Sequence, residues 1–233
     1  MIPFNVIQES DFHNAWKLAL EFVLKNQYKF QFGDIKNPKK AWDSTQIIYL
    51  SGNAIDQIEN REIHPDYPFK LVDNYCDELT REYLKEYKNK SDLEKFVYLY
   101  FERLVEPIDQ LAFMKDNLGK QIFFGIRSNQ CQAITWRLKE DTISGSPPCL
   151  QRIQVLWSEP DQVDVRFSWR SRDLYGAWQS NLVALVSMLN REVIHPNECK
   201  IRSIIDYSDS LHIYTTDLEA ARNVRWPIYG RFE

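Results

Sequence analysis

The stretch "SPPCLQRIQVLW" (Ser146–Trp157) sets Cys149 behind two prolines at the mouth of an apolar run. Pro147 and Pro148 lack backbone donors and restrict φ, so they hold the chain extended and fix where the thiol sits. A thiol reacts as its thiolate, a form that a nearby cation favours. Arg170, in "WRSRD", is a candidate for that cation, and its planar fork also suits a phosphate. Asn181 falls on the apolar side of a helix, three after Trp178 and just before Leu182 and Leu185. A buried amide there must find partners or cost about 1–3 kcal/mol; it either ties down a loop or reads the edge of a planar amide ligand. His212 and Tyr214, in "LHIY", are two apart, so both point to one face of a strand, where a hydroxyl-bearing ligand would suit them. Taken singly, each residue also has a purely structural reading: a packed thiol, a solvated arginine, a core amide, a strand with satisfied polar tips.

The elements that position these residues come from 233 residues, 44% hydrophobic, with net charge −4. That length supports one large core. No long basic block occurs, which argues against a nucleic-acid groove. The N-terminus lacks a basic region followed by an apolar run, so no signal peptide is expected. No stretch approaches the roughly 18 apolar residues of a membrane helix. Cys76, Cys131, Cys149 and Cys199 are widely spaced and not clustered with the histidines, so no metal site is expected. They read as reduced thiols of a cytoplasmic protein.

Helical spacing of Phe12, Trp16, Leu20 and Val23 predicts an amphipathic helix capped by Ser10. "FGDIKNPKKAWDST" reads as a charged loop, "QIIYL" as a buried strand and "SGNAIDQIENREIHPDYP" as irregular. Helices fit "KLVDNYCDELTREYLKEY" and "EPIDQLAFMKDNLG", the latter stopped at Gly119. Strands fit "QIFFGI", "QCQAITW" and "LQRIQVLW". In "QVDVRFSW", Val163, Val165, Phe167 and Trp169 alternate with polar residues, and "SEPD" before it reads as a hairpin turn. A largely apolar helix, "YGAWQSNLVALVSMLN", and a final strand, "IRSIIDYSDSLHIY", complete one mixed α+β domain over residues 1–233.

Order and spacing add what single residues do not. "PPC" with Gln154 five after the cysteine, then "RSRDLYGAWQSN", then "SLHIY", resembles thymidylate synthase and its pyrimidine hydroxymethylase relatives. Trp136, thirteen before the cysteine, and Tyr100, in "VYLYFERL", fit the same pattern. The resemblance covers roughly residues 95 to 220 and is nearest to the short archaeal-type members. It implies a mixed twisted sheet covered by helices, with a sheet face packed in a homodimer. It further implies a methyltransferase that moves a one-carbon unit from 5,10-methylenetetrahydrofolate, or a related carrier, to carbon 5 of dUMP, giving dTMP. A pyrimidine nucleotide 5-hydroxymethylase, acting on uridylate or cytidylate, and a nucleotide-binding relative without turnover are the alternatives.

In that scheme Cys149 attacks carbon 6 of the ring and makes carbon 5 nucleophilic, with Tyr100 in the active-site segment. Arg170 and Ser171 hold the phosphate, and Arg170 also favours the thiolate. Asn181 reads uracil; the cytosine-acting branch typically has aspartate at this position. His212 and Tyr214 hold the sugar 3′-hydroxyl, and Asp173 bonds the pterin and holds the water network. Four features depart from the family. Leu150 stands where histidine is usual. Asn129 and Gln130 occupy the positions of two arginines supplied by the partner subunit, with Arg127 close by. The N-terminal catalytic glutamate has only Glu59 and Glu62 as candidates. The segment after Tyr214 is short beside the family's C-terminal arm.

Overall fold

The computed structural model describes residues 1–32, 38–69, 72–91 and 98–226. The chain opens with β1 (Phe4–Glu9) and α1 (Phe12–Asn26), followed by β2 (Lys29–Phe32), β3 (Lys39–Trp42) and β4 (Thr45–Ser51). A largely helical stretch comes next: α2 (Asn53–Glu59), α3 (Val72–Glu78), α4 (Arg81–Lys88), α5 (Tyr100–Val105) and α6 (Gln110–Phe124). Then come β5 (Gln132–Ile134), α7 (Leu138–Asp141), the hairpin β6 (Leu150–Ser158) and β7 (Gln162–Trp169), and β8 (Arg172–Asp173). The described chain closes with α8 (Trp178–Leu189), β9 (Lys200–Ser208), β10 (Leu211–Tyr214) and α9 (Leu218–Arg222). The fold is mixed α+β, as the order of elements predicted.

Among the described residues the strands form a six-stranded sheet, β1-β4-β9-β7-β6-β5, and a four-stranded sheet, β2-β3-β10-β8. The larger sheet is mixed: β1 runs parallel to β4 and β7 parallel to β9, while the other pairs are antiparallel. Period-two alternation decides its two faces. Ile48 and Leu50, Ile204, Val163 with Val165, Phe167 and Trp169, and Ile153 with Val155 fill the core side, each at most 1% exposed. α1 lays Phe12, Trp16, Leu20 and Val23 onto this core, at helical spacing. On the opposite face, Phe4 and Val6 (both 59% exposed) and Ile134 (50%) leave apolar surface open, with Ile47, Tyr49, Ile205 and Tyr207 partly buried between them.

Several boundaries differ from the sequence reading, each for a local reason. α1 is capped by Asp11, not Ser10; its side chain accepts from Asn14 N at 2.7 Å. α2 lies in the stretch expected to be irregular, because Ala54, Ile55 and Ile58 bury one side of it. The predicted helix over residues 70–87 is two helices: the Thr80 hydroxyl caps the second by accepting from Tyr83 N, competing with continuation of the first. Its first residues, Lys70 and Leu71, lie outside the described residues, as does part of the charged loop, whose Lys39–Trp42 end is a strand.

α6 runs through Gly119 to Phe124 and ends at Gly125, so the predicted strand "QIFFGI" begins as helix. Gly119 is a packing position rather than a stop: a Cβ there would lie 2.9 Å from Asn197 Oδ1, whose amide nitrogen bonds the Lys115 and Val193 carbonyls. The expected final strand is two strands in different sheets. The chain bends at Asp209 and Ser210, where Asp209 N donates to Trp169 O and Ser210 O accepts from Arg172 N. That bend carries His212 and Tyr214 into the smaller sheet, beside Asp173.

Candidate active site

Cys149 lies just before β6, partly buried, against the core. Its surroundings are built by two tyrosines that precede or start α5. The Cys149 backbone N–H meets the Tyr98 hydroxyl, and the next one, Leu150 N, donates to Tyr100 Oη at 3.3 Å. Burial first, and the Cys149 charge second, push both hydroxyls above the usual tyrosine range. Burial first, then the Asp173 charge, raise Tyr214, and the Cys149 charge adds to them. One thiol is therefore felt from β10 and from the start of α5, segments more than a hundred residues apart in sequence.

Arg170, just past β7, turns back onto the diproline. Nε donates to Pro148 O at 3.0 Å and Nη2 to Pro147 O at 2.6 Å, while its backbone N donates to Cys149 O at 3.0 Å. Nη1 has no hydrogen-bond acceptor among the described residues. Ser171 follows, partly buried.

β8 and β10 run parallel, with His212 opposite Asp173. Asp173 Oδ1 accepts from Tyr175 N (3.0 Å) and Gly176 N (2.9 Å), bridging the turn into α8. A Cβ at Gly176 would come within 2.5 Å of Asp173 Oδ2, so a larger residue there would displace the carboxylate from this turn. Burial lifts Asp173 to about 6, against the pull of the Gly176 N–H. Burial also lowers His212 to about 4, holding the ring neutral. The His212 and Tyr214 rings meet edge-on with centroids 5.0 Å apart. Lys39 places Nζ 5.3 Å from the Tyr214 ring, and its charge acts on both Asp173 and His212. A groove of about 440 Å³ runs beside them, lined by Pro38, Lys39, Lys40, Tyr214, Thr215 and Thr216.

Asn181 is partly buried in the first turn of α8. Its Oδ1 accepts from Arg172 Nε at 3.2 Å and its Nδ2 donates to Tyr75 Oη at 3.1 Å. Arg172 is 1% exposed and its partner Asp206 0%. The guanidinium Nη1 bonds both Asp206 oxygens (2.7 and 2.6 Å), and Nη2 bonds Trp178 O at 2.8 Å. The indoles of Trp169 (3.0 Å) and Trp178 (2.8 Å) donate to the same carboxylate, and the guanidinium sits 4.2 Å from the Trp169 ring. This buried pair is fully hydrogen-bonded, the condition under which charges tolerate burial. Trp169 also meets the Tyr100 ring edge-on at 6.1 Å, which joins the Asn181 side to the Cys149 side.

The residues picked from sequence thus fall into two groups, Cys149, Tyr100 and Arg170 in one and Asp173, His212 and Tyr214 in the other, with the Cys149 charge acting on Tyr214 and Asn181 linked to the first through Arg172 and Trp169. The sequence reading missed Tyr75, Tyr98, Lys39 and Arg172. Arg172 and Asp206 stood in quoted segments, yet nothing in their spacing pairs residues 34 apart. Glu59 accepts from Asn190 Nδ2 at 2.8 Å, nine residues along the helix from Asn181, or about 13 Å away. Glu62 is exposed. Arg127, Asn129 and Gln130 are exposed in the α6–β5 connection; Asn129 O accepts from Gln154 Nε2 at 2.9 Å, and the Arg127 charge acts on Asp164. Among the described residues no cluster of three or more metal-ligating side chains occurs, and no helix is long and apolar enough to cross a membrane.

No family model matches the chain. It is 29% identical over 138 residues to a protein of Methanothermobacter thermautotrophicus named "Putative thymidylate synthase", covering 58% of this chain and 60% of that one. A protein of Methanothermobacter marburgensis with the same name is also 29% identical over 138 residues, covering 57% of this chain and 58% of that one. The match therefore spans less than two thirds of either relative's length.

Proposed function

We propose that the chain is a thymidylate synthase-type methyltransferase acting on a pyrimidine deoxynucleotide, dUMP, in one domain. The observation that carries this reading is the setting of Cys149: a partly exposed thiol whose preceding carbonyls are gripped by Arg170, with one edge of that guanidinium still able to take an acceptor. The names of the two archaeal relatives support the same class.

In this reading the Cys149 thiolate adds to carbon 6 of the uracil ring, and the electron pair displaced to carbon 5 makes that carbon the nucleophile. Methylenetetrahydrofolate, as cosubstrate, supplies the one-carbon unit and the hydride. Arg170 Nη1 and Ser171 hold the phosphate, with charge-assisted hydrogen bonds. Asp173, which burial lifts to about 6, is suited to bond the pterin and to exchange a proton with the water network. His212 and Tyr214 hold the sugar hydroxyl, and Asn181 reads the base. The open face of the six-stranded sheet, with Phe4, Val6 and Ile134, packs against a second copy. Arg127 lies toward that face, next to the position where the family carries its partner-supplied arginines.

Tritium release from carbon 5 of labelled dUMP, with and without methylenetetrahydrofolate, tests the reading. Release with dihydrofolate formation supports it. Release without dihydrofolate points to hydroxymethylation, and nucleotide binding without release points to a relative that has lost turnover.

A further inference from the structure

We infer that Arg172 is the specificity-determining positioning residue of this site: it fixes which way the Asn181 amide faces, and so decides that the site takes a uracil edge and rejects a cytosine edge. The inference rests on the uridylate reading above and deepens it.

The two partners of the Asn181 amide are not equivalent. Tyr75 Oη can donate or accept, so it tolerates either end of the amide. Arg172 Nε carries a hydrogen and no lone pair, so only Oδ1 can face it. Rotating the amide by half a turn would set Nδ2–H against Nε–H, two donors with no acceptor between them. Arg172 itself has little freedom to move aside. Its other nitrogens are held by Asp206 and Trp178 O, and its plane lies against Trp169.

Each amide atom keeps one site after these bonds: a second lone pair on Oδ1 and a second hydrogen on Nδ2. Together they present an acceptor beside a donor, in a fixed order. That order matches the N3–H and O4 of uracil. Cytosine presents an acceptor at N3 and a donor at position 4, so both contacts mispair unless the amide flips. An asparagine without Arg172 could flip and serve either base. The selectivity therefore lies in the arginine behind the asparagine, not in the asparagine alone.

Calorimetric titration of the full chain with dUMP and with dCMP tests this, using wild type, Arg172→Lys and Tyr75→Phe. Lysine retains a charge for Asp206 but has no nitrogen at the Nε position. Two mispaired groups predict a wild-type preference for dUMP of about 100-fold or more. In Arg172→Lys the ratio should fall to within about tenfold, through a gain in dCMP affinity as well as a loss for dUMP. Tyr75→Phe should keep the wild-type ratio. A loss that was merely structural would weaken both nucleotides alike and leave the ratio unchanged. Should Arg172→Lys not fold, Arg172→Met with Asp206→Asn removes both charges together, and the same collapse of the ratio is expected. An unchanged ratio in the folded arginine variant overturns the inference and leaves the uridylate reading standing. Equal wild-type affinities for the two nucleotides also overturn it, with the nucleotide site intact. A wild type that binds neither nucleotide overturns the uridylate reading, and this inference with it.

Discussion

Arg170 closes on the two carbonyls that lead into Cys149, with Nε 3.0 Å from Pro148 O and Nη2 2.6 Å from Pro147 O. Pro148 O also accepts from Gln151 Nε2 at 2.7 Å, so the guanidinium shares that carbonyl, takes Pro147 O, and fixes the approach to the thiol. Arg170→Lys keeps the charge but cannot span both carbonyls. It should destabilise the chain by about 1–3 kcal/mol in chemical denaturation. It should also weaken dUMP binding by at least about tenfold while changing deoxyuridine binding little, since only the nucleotide has the phosphate. Equal losses for the two ligands would remove Arg170 from the phosphate.

Cys149 should be the thiol that alkylates first. Cys76, Cys131 and Cys199 are at most 3% exposed, and burial pushes all three thiols above the usual range, Cys131 to about 12. Peptide mass spectrometry after brief iodoacetamide treatment should show label on Cys149, and dUMP should block it. Label that appears on another cysteine, or that dUMP does not affect, speaks against a nucleotide beside Cys149.

Asp173 and His212 should hide each other's pH dependence. Asp173 rises from 3.8 to about 6 on folding, so the folded state holds the extra proton and stability falls as pH rises through that window. His212 drops from 6.5 to about 4, so the unfolded state holds the extra proton and stability rises with pH over nearly the same window. Each effect is of order 3 kcal/mol, and the two have opposite signs. Wild-type stability should therefore vary little between pH 4 and 6.5 on account of this pair. Asp173→Asn, which keeps the acceptor for Gly176 N, should become more stable as pH rises. His212→Gln should become less stable. Melting temperatures of the three proteins across that range would show it; parallel curves would refute the assignment.

Asp206→Ala should be among the most damaging single substitutions in the chain. It leaves Arg172 buried without a counter-ion and strips two indole N–H groups of their acceptor. Breaking a buried pair from one side typically costs about 3–5 kcal/mol. Removing both charges with Arg172→Met and Asp206→Asn should recover most of that loss. Chemical denaturation of the single and double variants measures the difference, and equal losses would show that the pair is not coupled.

The α+β class and the hairpin of β6 and β7 were legible in the sequence. Strand alternation and helix periodicity are local codes: Val163 to Trp169 alternate because one face of β7 must be buried, whatever it packs against. Residue type and spacing also singled out the thiol, Arg170, Asn181 and the His212–Tyr214 pair, and the family resemblance added Asp173. Where two local codes overlapped, the sequence could not choose. "QIFF" has the residues of a strand, yet it continues α6, because Asn197 packs against Gly119 and lets the helix run on. The break at Asp209, which sends β10 to the second sheet, depends on Trp169 O and Arg172 N, both far off in sequence. The same holds for the groups behind the site. Arg172 with Asp206, Asn181 with Tyr75, and Cys149 with Tyr98 are pairings across long separations, made by chain crossings that no spacing encodes. Composition and period place a polar side chain on a face of its own element. Which charge or hydroxyl stands opposite, and therefore which way an amide must point, is decided only when the elements pack.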